Sequence, residues 1–255
     1  MFIHGDRKLI VKSILITLFT FHAMLFLFLS TDVSGSQYTP KGLYDPEYLT
    51  LENGLDVVLK KRDVTHNVSI RLAVNVGQID FPCGRKEQPH FLEHLLFTGT
   101  SQHSEAELES LIEEKGRWWN ASTENEKTIY KVDIYSPNSL FAIDMLYEIF
   151  TDSQISAENV ELSRDIIHRE SGGKPSALRQ WLYRHGIGRN AYTNAFIEMF
   201  PGSHVVCTSL QTAEGITRED IIETFEQYYV PNNMQLVIVG EFNRERILDK
   251  IQNRT

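Results

Sequence analysis

Apolar and polar residues alternate in three short segments that follow one another after residue 45. Two of them flank Asn53-Gly54 in YLTLENGLDVVLKKR, which runs from Tyr48 to Arg62. Asn-Gly between two alternating runs is the strongest short-range signal for a β-hairpin. The third segment, VSIRLAVNV over Val68–Val76, predicts another strand with one buried face.

Helical periodicity and capping signals predict most of the remaining elements. Pro89 suits the first turn of a helix and Gly99 suits its end, so PHFLEHLLFT is predicted to be a short helix. Ser104 followed by Glu107 is a capping box that opens a helix to about Lys115. Further predicted elements are a strand over Lys127–Tyr135, helices over Asn138–Asp152, Ser156–Glu170, Pro175–His185 and Thr217–Tyr229, a strand over Gln235–Gly240 and a last helix capped by Asn243.

This order of elements predicts an α+β domain. Strands and helices are mixed along the chain, and at least one pair of strands is an antiparallel hairpin. The sequence after residue 36 shows no internal repeat, low-complexity tract or convincing linker. We therefore predict a single domain over residues 37–255.

The first 36 residues have the order of a secretory leader. Arg7, Lys8 and Lys12 precede an uncharged, mostly apolar stretch over residues 13–31, and small residues follow it. The pattern predicts a cleaved signal peptide over residues 1–36, with an uncleaved signal anchor as the alternative. The rest of the chain is then expected to be secreted or periplasmic, or membrane-anchored outside the cytoplasm if the leader is retained.

Composition limits the classes of protein that fit. The 255 residues are 42% hydrophobic, enough to build a core, and 25 Lys+Arg against 34 Asp+Glu give a net charge of −9. A general nucleic-acid binder carries clustered positive charge, so we expect no nucleic-acid partner. Two cysteines are too few for a disulfide scaffold, but Cys83 and Cys207 could pair in an oxidising compartment if the fold brings them together.

The predicted helix after Pro89 carries His90, Glu93 and His94 among apolar residues. The two histidines are four residues apart and therefore share one helical face. A divalent metal would satisfy both imidazoles, which are costly to bury unpaired. Zinc takes neutral imidazole ligands, and Glu93 is placed as the base that accepts a proton from a metal-bound water. The residues alone leave open that backbone carbonyls or an Asp satisfy the histidines instead.

Four segments resemble the zinc metallopeptidase family of pitrilysin, insulin-degrading enzyme and mitochondrial processing peptidase, whose motif is the His-x-x-Glu-His of inverzincins. They are LENGLDVVL, PHFLEHLLFTGT, WNASTENEKTIYKVDI and ITREDIIETFEQYYVPNNMQLVIVGEF, in family order over Tyr44–Ile251. The resemblance implies the N-terminal, metal-binding domain of that family. Its fold is a LuxS/mitochondrial-processing-peptidase-like metallohydrolase domain, a mainly antiparallel sheet covered by helices.

The resemblance also implies a third metal ligand, Glu170. Family members place this Glu in a later helix, at the spacing that Glu170 has from His94. Without the family, Glu161, His168 and Glu170 are hard to separate as candidates. Many active relatives carry a further Glu two turns before the ligand, where this sequence has Ser163, so the groups that tune the metal are expected to be weaker.

The segment WNASTE implies where substrate binds. In the family, an extended peptide adds itself to the edge of the sheet at an Asn-Ala strand, and Asn120 and Ala121 are the matching positions. Backbone hydrogen bonds would give affinity, and side-chain pockets would give selectivity.

These residues together predict a zinc metalloendopeptidase that hydrolyses peptide bonds in extended peptides. Zn²⁺ is expected on His90, His94 and Glu170, with Glu93 as the base. The alternative is a non-catalytic or half-site subunit that binds peptides or needs a partner chain. Family members continue into further domains that close the cleft, so we expect a partner chain or homo-oligomer to supply the second domain. A membrane contact is expected only if the leader is uncleaved.

Overall fold

The structure, a computed structural model, describes residues 45–63, 65–203 and 206–254. The predicted leader lies outside these residues. Within the described ranges, no helix combines the length and the hydropathy needed to cross a bilayer.

Six β-strands of the described residues form one sheet. They are β1 (Glu47–Thr50), β2 (Asp56–Lys61), β3 (Asn67–Val74), β4 (Gly116–Thr123), β5 (Thr128–Tyr135) and β6 (Met234–Gly240). Their order across the sheet is β1-β2-β6-β3-β5-β4. Every neighbouring pair is antiparallel except β2 and β6, which run parallel. Because β4 is last in this order, its outer side pairs with no other strand of the described residues.

Eight α-helices belong to the described part of the chain. They are α1 (Gln88–Leu95), α2 (Glu105–Lys115), α3 (Ser139–Thr151), α4 (Ala157–Glu170), α5 (Ala177–Arg184), α6 (Ala191–Met199), α7 (Arg218–Tyr228) and α8 (Arg244–Gln252). The sheet and these helices confirm the predicted α+β class.

One face of the sheet is buried beneath helices. Ile70 and Val74 of β3 and Tyr130 and Ile134 of β5 have no exposed surface, whereas Arg71, between the two β3 residues, is partly exposed. Helices α1 and α3 both pack against β5 on the buried side. An antiparallel sheet with one apolar face needs such a cover, because burial of that face drives folding. The predicted sheet covered by helices is therefore confirmed.

The hairpin at Asn53-Gly54 forms as predicted. Strands β1 and β2 pair antiparallel, with Thr50 opposite Asp56. Gly54 adopts φ 90°, a left-handed conformation that glycine reaches without steric cost. The Asn53 side chain accepts a hydrogen bond from the backbone N–H of Leu55, as Asn commonly does in turns.

The sequence patterns miss two features of the fold. Helix α6 was not predicted, although Tyr192, Ala195, Phe196 and Met199 recur at helical spacing in its sequence AYTNAFIEM. Strand β6 forms where it was predicted, but its place inside the sheet, between β2 and β3, was not predicted. Its partners are distant along the chain, and such pairings leave no local signal.

Helix α1 is held on several sides. It packs against α4, α7, β4 and β5. Phe91, Leu92 and Leu95 on this helix are completely buried. Pro89 lies in its first turn, and Gly99, with φ 121°, follows its end. This packing fixes the helix next to the C-terminal end of α4, where a carboxylate can meet its histidines.

Candidate metal centre

His90 and His94 lie one turn apart on the same face of α1, as their spacing predicts. Their side chains are 22% and 21% exposed, so both rings are mostly withdrawn from solvent while one side stays open. The Nε2 atoms of the two rings are 3.2 Å apart. The rest of the helix supplies the apolar packing that holds them there.

Glu170 completes a cluster with the two histidines. It is the last residue of α4, and its Oε2 lies 3.3 Å from His90 Nε2 and 3.4 Å from His94 Nε2. Among the described residues, His90, His94 and Glu170 form the group whose ligand atoms are close enough to hold one metal ion. The residue that the family resemblance singled out therefore lies beside the two histidines.

The spacing of these atoms suits zinc. Tetrahedral zinc, with ligands about 2.0–2.1 Å away, places its ligand atoms about 3.3–3.4 Å from one another. The three distances of 3.2, 3.3 and 3.4 Å match this triangle. Two imidazoles and one carboxylate are also a ligand set of catalytic zinc sites, which keep a fourth position open. The ligand atoms of His90, His94 and Glu170 are thus close enough for one zinc ion to contact all three.

The electrostatics separate the two histidines. Burial lowers the pKa of His90, but the hydrogen bond and charge of Glu87, with Glu93 and Glu170, raise it above its usual value overall. Burial and the neighbouring His90 lower the pKa of His94, against the opposing effect of Glu170 and Glu93. His94 therefore favours the neutral form, which is the form that ligates metal.

Glu93 lies on α1 beside the histidines and is half-buried. Its Oε2 accepts a hydrogen bond from Thr123 Oγ1 at 2.5 Å. Thr123 is the last residue of β4, so this bond joins α1 to the end of the edge strand. It occupies one oxygen of the carboxylate. The contact joins residues that are distant in the sequence, so no sequence signal could have revealed Thr123.

Glu87 is a second residue that the sequence analysis missed. Its Oε2 lies 2.9 Å from His90 Nδ1, on the ring nitrogen opposite the one that faces the cluster. The side chain of Glu87 is 16% exposed. Residues three apart are neighbours on a helix, so the spacing from Glu87 to His90 was the available signal.

The other acidic and imidazole candidates on α4 lie elsewhere. Glu161 pairs with Arg164 at 3.2 Å. His168 is buried, with Nε2 3.9 Å from the Glu214 carboxylate. Ser163 is completely buried, and in the described part of the chain its Oγ has no hydrogen-bond partner. The fold therefore separates Glu170 from Glu161 and His168, which the sequence alone did not.

Asn120 and Ala121 lie on β4, the edge strand. Asn120 is exposed, Ala121 is buried, and they pair with Lys131 and Tyr130 of β5. The Asn120 side chain accepts a hydrogen bond from the N–H of Ala121 at 2.8 Å. An unpaired strand edge can accept another extended chain. The predicted substrate-binding residues thus lie on an edge that is open within the described residues.

Cys83 and Cys207 form a disulfide, which settles the pairing that the sequence left open. Cys83 precedes α1, and Cys207 follows α6. Nearby, the N–H of Gly84 donates to Gln211 Oε1, and Arg85 pairs with Asp220. These contacts tie the loop before the metal helix to later parts of the chain.

Comparison with known proteins gives matches to two family models. Residues 56–195 match the model described as "Insulinase (Peptidase family M16)". This range contains His90, Glu93, His94 and Glu170. Residues 215–254 match a second model, described as "Peptidase M16 inactive domain". The first match alone covers more than half of the chain.

Relatives found by sequence comparison include proteins named as peptidases or proteases. Mitochondrial-processing peptidase subunit beta of Neurospora crassa is 26% identical over 200 residues, 78% of this chain and 41% of that protein. An uncharacterized zinc protease of Mycobacterium bovis is 25% identical over 213 residues, 82% of this chain and 46% of that protein. The chain thus spans less than half the length of these relatives.

The fold has close structural counterparts. The crystal structure of the first half of the periplasmic protease PqqL from Escherichia coli matches with a TM-score of 0.63 and 20% sequence identity. The match covers 83% of this chain and 46% of that one. It supports the arrangement of the sheet and helices described above.

Proposed function

Because this chain belongs to the insulinase family of peptidases, peptidase family M16, we propose that it is a zinc-dependent endopeptidase. The observation that carries the proposal is the triangle of His90 Nε2, His94 Nε2 and Glu170 Oε2, with edges of 3.2–3.4 Å. A triangle of this size beside the half-buried carboxylate of Glu93 suits hydrolysis better than peptide binding alone. A non-catalytic role would not need this ligand set.

His90, His94 and Glu170 would hold the metal. When bound there, zinc supplies a Lewis acid for the scissile carbonyl and lowers the pKa of water. Glu93 takes a proton from the attacking water as that water adds to the carbonyl carbon. The same carboxyl then returns the proton to the leaving amine as the C–N bond breaks. The hydrogen bond from Thr123 would hold the carboxyl group of Glu93 in place during this exchange.

The substrate is proposed to be an extended peptide that pairs with the outer side of β4. Asn120 and Ala121 would lie along the bound backbone, since both are on the edge strand. The hydrogen bond from Thr123 to Glu93 supports this site, because it places the end of the strand next to the base. A peptide that follows β4 would therefore pass the catalytic carboxylate.

Two features bear on where and with what the chain works. The disulfide between Cys83 and Cys207 suits an oxidising compartment, and supports the secreted or periplasmic location that the leader predicts. The Neurospora relative is named as a subunit. We therefore propose that a partner chain or a second copy completes the cleft in the working enzyme.

Zinc content is the first test. The purified protein is expected to hold about one zinc per chain, which a chelator removes. Glu170→Gln should lose the metal, because it replaces a charged ligand, whereas Glu161→Gln on the same helix should keep it. Elemental analysis of the three proteins measures both effects. Absence of zinc from the wild-type protein, or equal loss in both variants, contradicts the proposed centre.

The role of Glu93 is tested separately. Glu93→Gln should keep its zinc but lower peptide hydrolysis about 10²–10⁴-fold, since the amide cannot accept the proton. Cleavage of a quenched fluorescent peptide measures the loss, with the chain alone and with a candidate partner. Turnover unchanged in this variant would exclude Glu93 as the base. A wild-type chain that binds zinc but stays inactive with every partner would favour a non-catalytic subunit, whereas activity only with a partner would favour the half-site subunit.

A further inference from the structure

We propose that Glu87 is a positioning residue for the metal centre, whose carboxylate holds His90 in the tautomer and orientation that present Nε2 to the metal. The inference rests on the proposed function, since it requires metal at His90, His94 and Glu170. Its basis is the contact of 2.9 Å between Glu87 Oε2 and His90 Nδ1. Both side chains are largely withdrawn from solvent, with 16% and 22% exposed, which preserves the strength of the hydrogen bond.

The chemistry of the two groups fixes the proton. An ionised carboxylate only accepts hydrogen bonds, and a neutral imidazole carries its proton on one of its two nitrogens. In the neutral form that metal binding requires, the contact places the proton of His90 on Nδ1 and leaves the lone pair on Nε2. That nitrogen lies 3.2 Å from His94 Nε2 and 3.3 Å from Glu170 Oε2. A carboxylate behind a ligating histidine also makes the ligand more basic.

The position of Glu87 at the start of α1 supports this role. Its backbone carbonyl accepts from the N–H of Phe91 and so begins the helix. A shorter side chain such as Asp at this position commonly accepts from backbone N–H groups of the first turn, but that of Glu87 makes no such bond. The carboxylate reaches His90 instead. Its backbone starts the helix, and its side chain holds a ligand of the same helix.

Ser163, on α4, does not orient either histidine of the cluster. Ser163 is completely buried, and within the described residues its Oγ contacts no hydrogen-bond partner. It therefore orients neither imidazole. The supporting carboxylate is that of Glu87, at the start of α1, and does not come from α4, which carries Glu170.

A second Glu–His contact in the chain offers a matched control. His103 Nδ1 lies 2.8 Å from Glu148 Oε1, and these side chains are 33% and 15% exposed. The pair resembles Glu87 and His90 in chemistry, distance and burial but is not part of the ligand cluster. Glu148→Gln thus alters the same kind of carboxylate–imidazole contact, together with the hydrogen bond from Thr100 to the same oxygen, without touching the centre.

The test compares zinc affinity among full-length wild-type protein, Glu87→Gln, Glu87→Asp and Glu148→Gln. Each protein is stripped of metal and titrated with zinc in competition with a chromophoric chelator. Glu87→Gln is expected to bind zinc about 10–100-fold more weakly, and Glu148→Gln should match the wild type. Glu87→Asp keeps the charge and should recover part of the loss. The visible absorption of the Co²⁺-substituted proteins should change in Glu87→Gln only.

The outcomes separate this inference from the function on which it rests. A wild-type protein that binds no zinc overturns both. A wild type and a Glu87→Gln variant that bind zinc equally, with the same Co²⁺ spectrum, overturn this inference alone. Equal loss of zinc affinity in Glu87→Gln and Glu148→Gln would assign the loss to general stability and would also overturn the inference. A lower melting temperature of metal-free Glu87→Gln, relative to the metal-free wild type, would lead to the same conclusion.

Discussion

Helix α1 and the α5–α6 segment, which we define as residues 177–199, are both rich in apolar side chains but differ in burial. Helix α1 buries most of its apolar residues, including Phe91 and Leu92. Neither α5 nor α6 contains a buried residue. Trp181 is 53% exposed and Tyr192 is 70% exposed. The same kind of sequence thus serves as core in one region and as surface in the other.

This difference in burial shows what holds α1 and the α5–α6 segment in place. The apolar side of α1 is anchored in the core, so the histidines on its other side are held by the packing of the whole domain. The α5–α6 segment depends on local contacts, such as the cap at Asn190 and the bond from Arg189 to the carbonyl of Thr208. Regions with few buried apolar contacts open at lower free energy than the core. We expect the site helix to be rigid and the segment to open locally.

The largest expected contrast comes from two Phe→Ala substitutions. Phe91 is completely buried in α1, beneath the guanidinium of Arg164, whereas Phe200, just after α6, is 44% exposed. Phe91→Ala should lower the free energy of unfolding by about 3–5 kcal/mol, through lost burial and the cavity left behind. Phe200→Ala loses mainly its contact with Phe196 and should cost about 1 kcal/mol or less. Urea unfolding measures both, and equal losses would contradict the contrast.

The disulfide that links these regions gives the next largest effect. It closes a loop across a sequence separation of 124 residues. Replacing Cys83 and Cys207 together by Ser should lower the free energy of unfolding by about 2–4 kcal/mol, because the unfolded chain regains the entropy of that loop. Hydrogen exchange should rise more in residues 177–199 than in α1. A double variant that unfolds at the wild-type urea concentration would show that the bond adds no stability.

Local patterns in the sequence predict much of the fold because they reflect local physics. The turn at Asn53-Gly54 and the cap at Thr217 each depend on a few adjacent residues, and the structure confirms both. Helix α6 carries the same kind of local signal, the N-cap Asn190 and an apolar stripe from Tyr192 to Met199, so it was open to prediction and was missed. The place of β6 between β2 and β3 depends on pairings across the chain.

The residues of the candidate site also differ in whether local sequence signals predict their place. Helical spacing alone places His90 and His94 on one face. Glu170 was distinguished from other acidic residues only by family resemblance, because its approach depends on how α4 packs against α1. Glu87 was visible at three residues before His90, but an acidic residue at a helix start already has an ordinary explanation in the helix dipole. Only side-chain geometry shows that its carboxylate turns to the ring.

The smallest expected effect comes from removing the N-cap of one helix that packs on the core and of one helix that is exposed. Thr217 caps α7, which packs against α1, and Asn190 caps the exposed α6. Each side chain accepts a hydrogen bond from a backbone N–H of the first turn. Thr217→Ala should lower the global free energy of unfolding by about 1 kcal/mol, because α7 unfolds only with the core. Asn190→Ala should leave the global free energy of unfolding nearly unchanged and instead speed hydrogen exchange in α6, since that helix can open by itself.

Urea unfolding together with hydrogen exchange at residues 191–199 measures both responses. A global loss in Asn190→Ala as large as that in Thr217→Ala would show that the α5–α6 segment unfolds with the core despite its exposure.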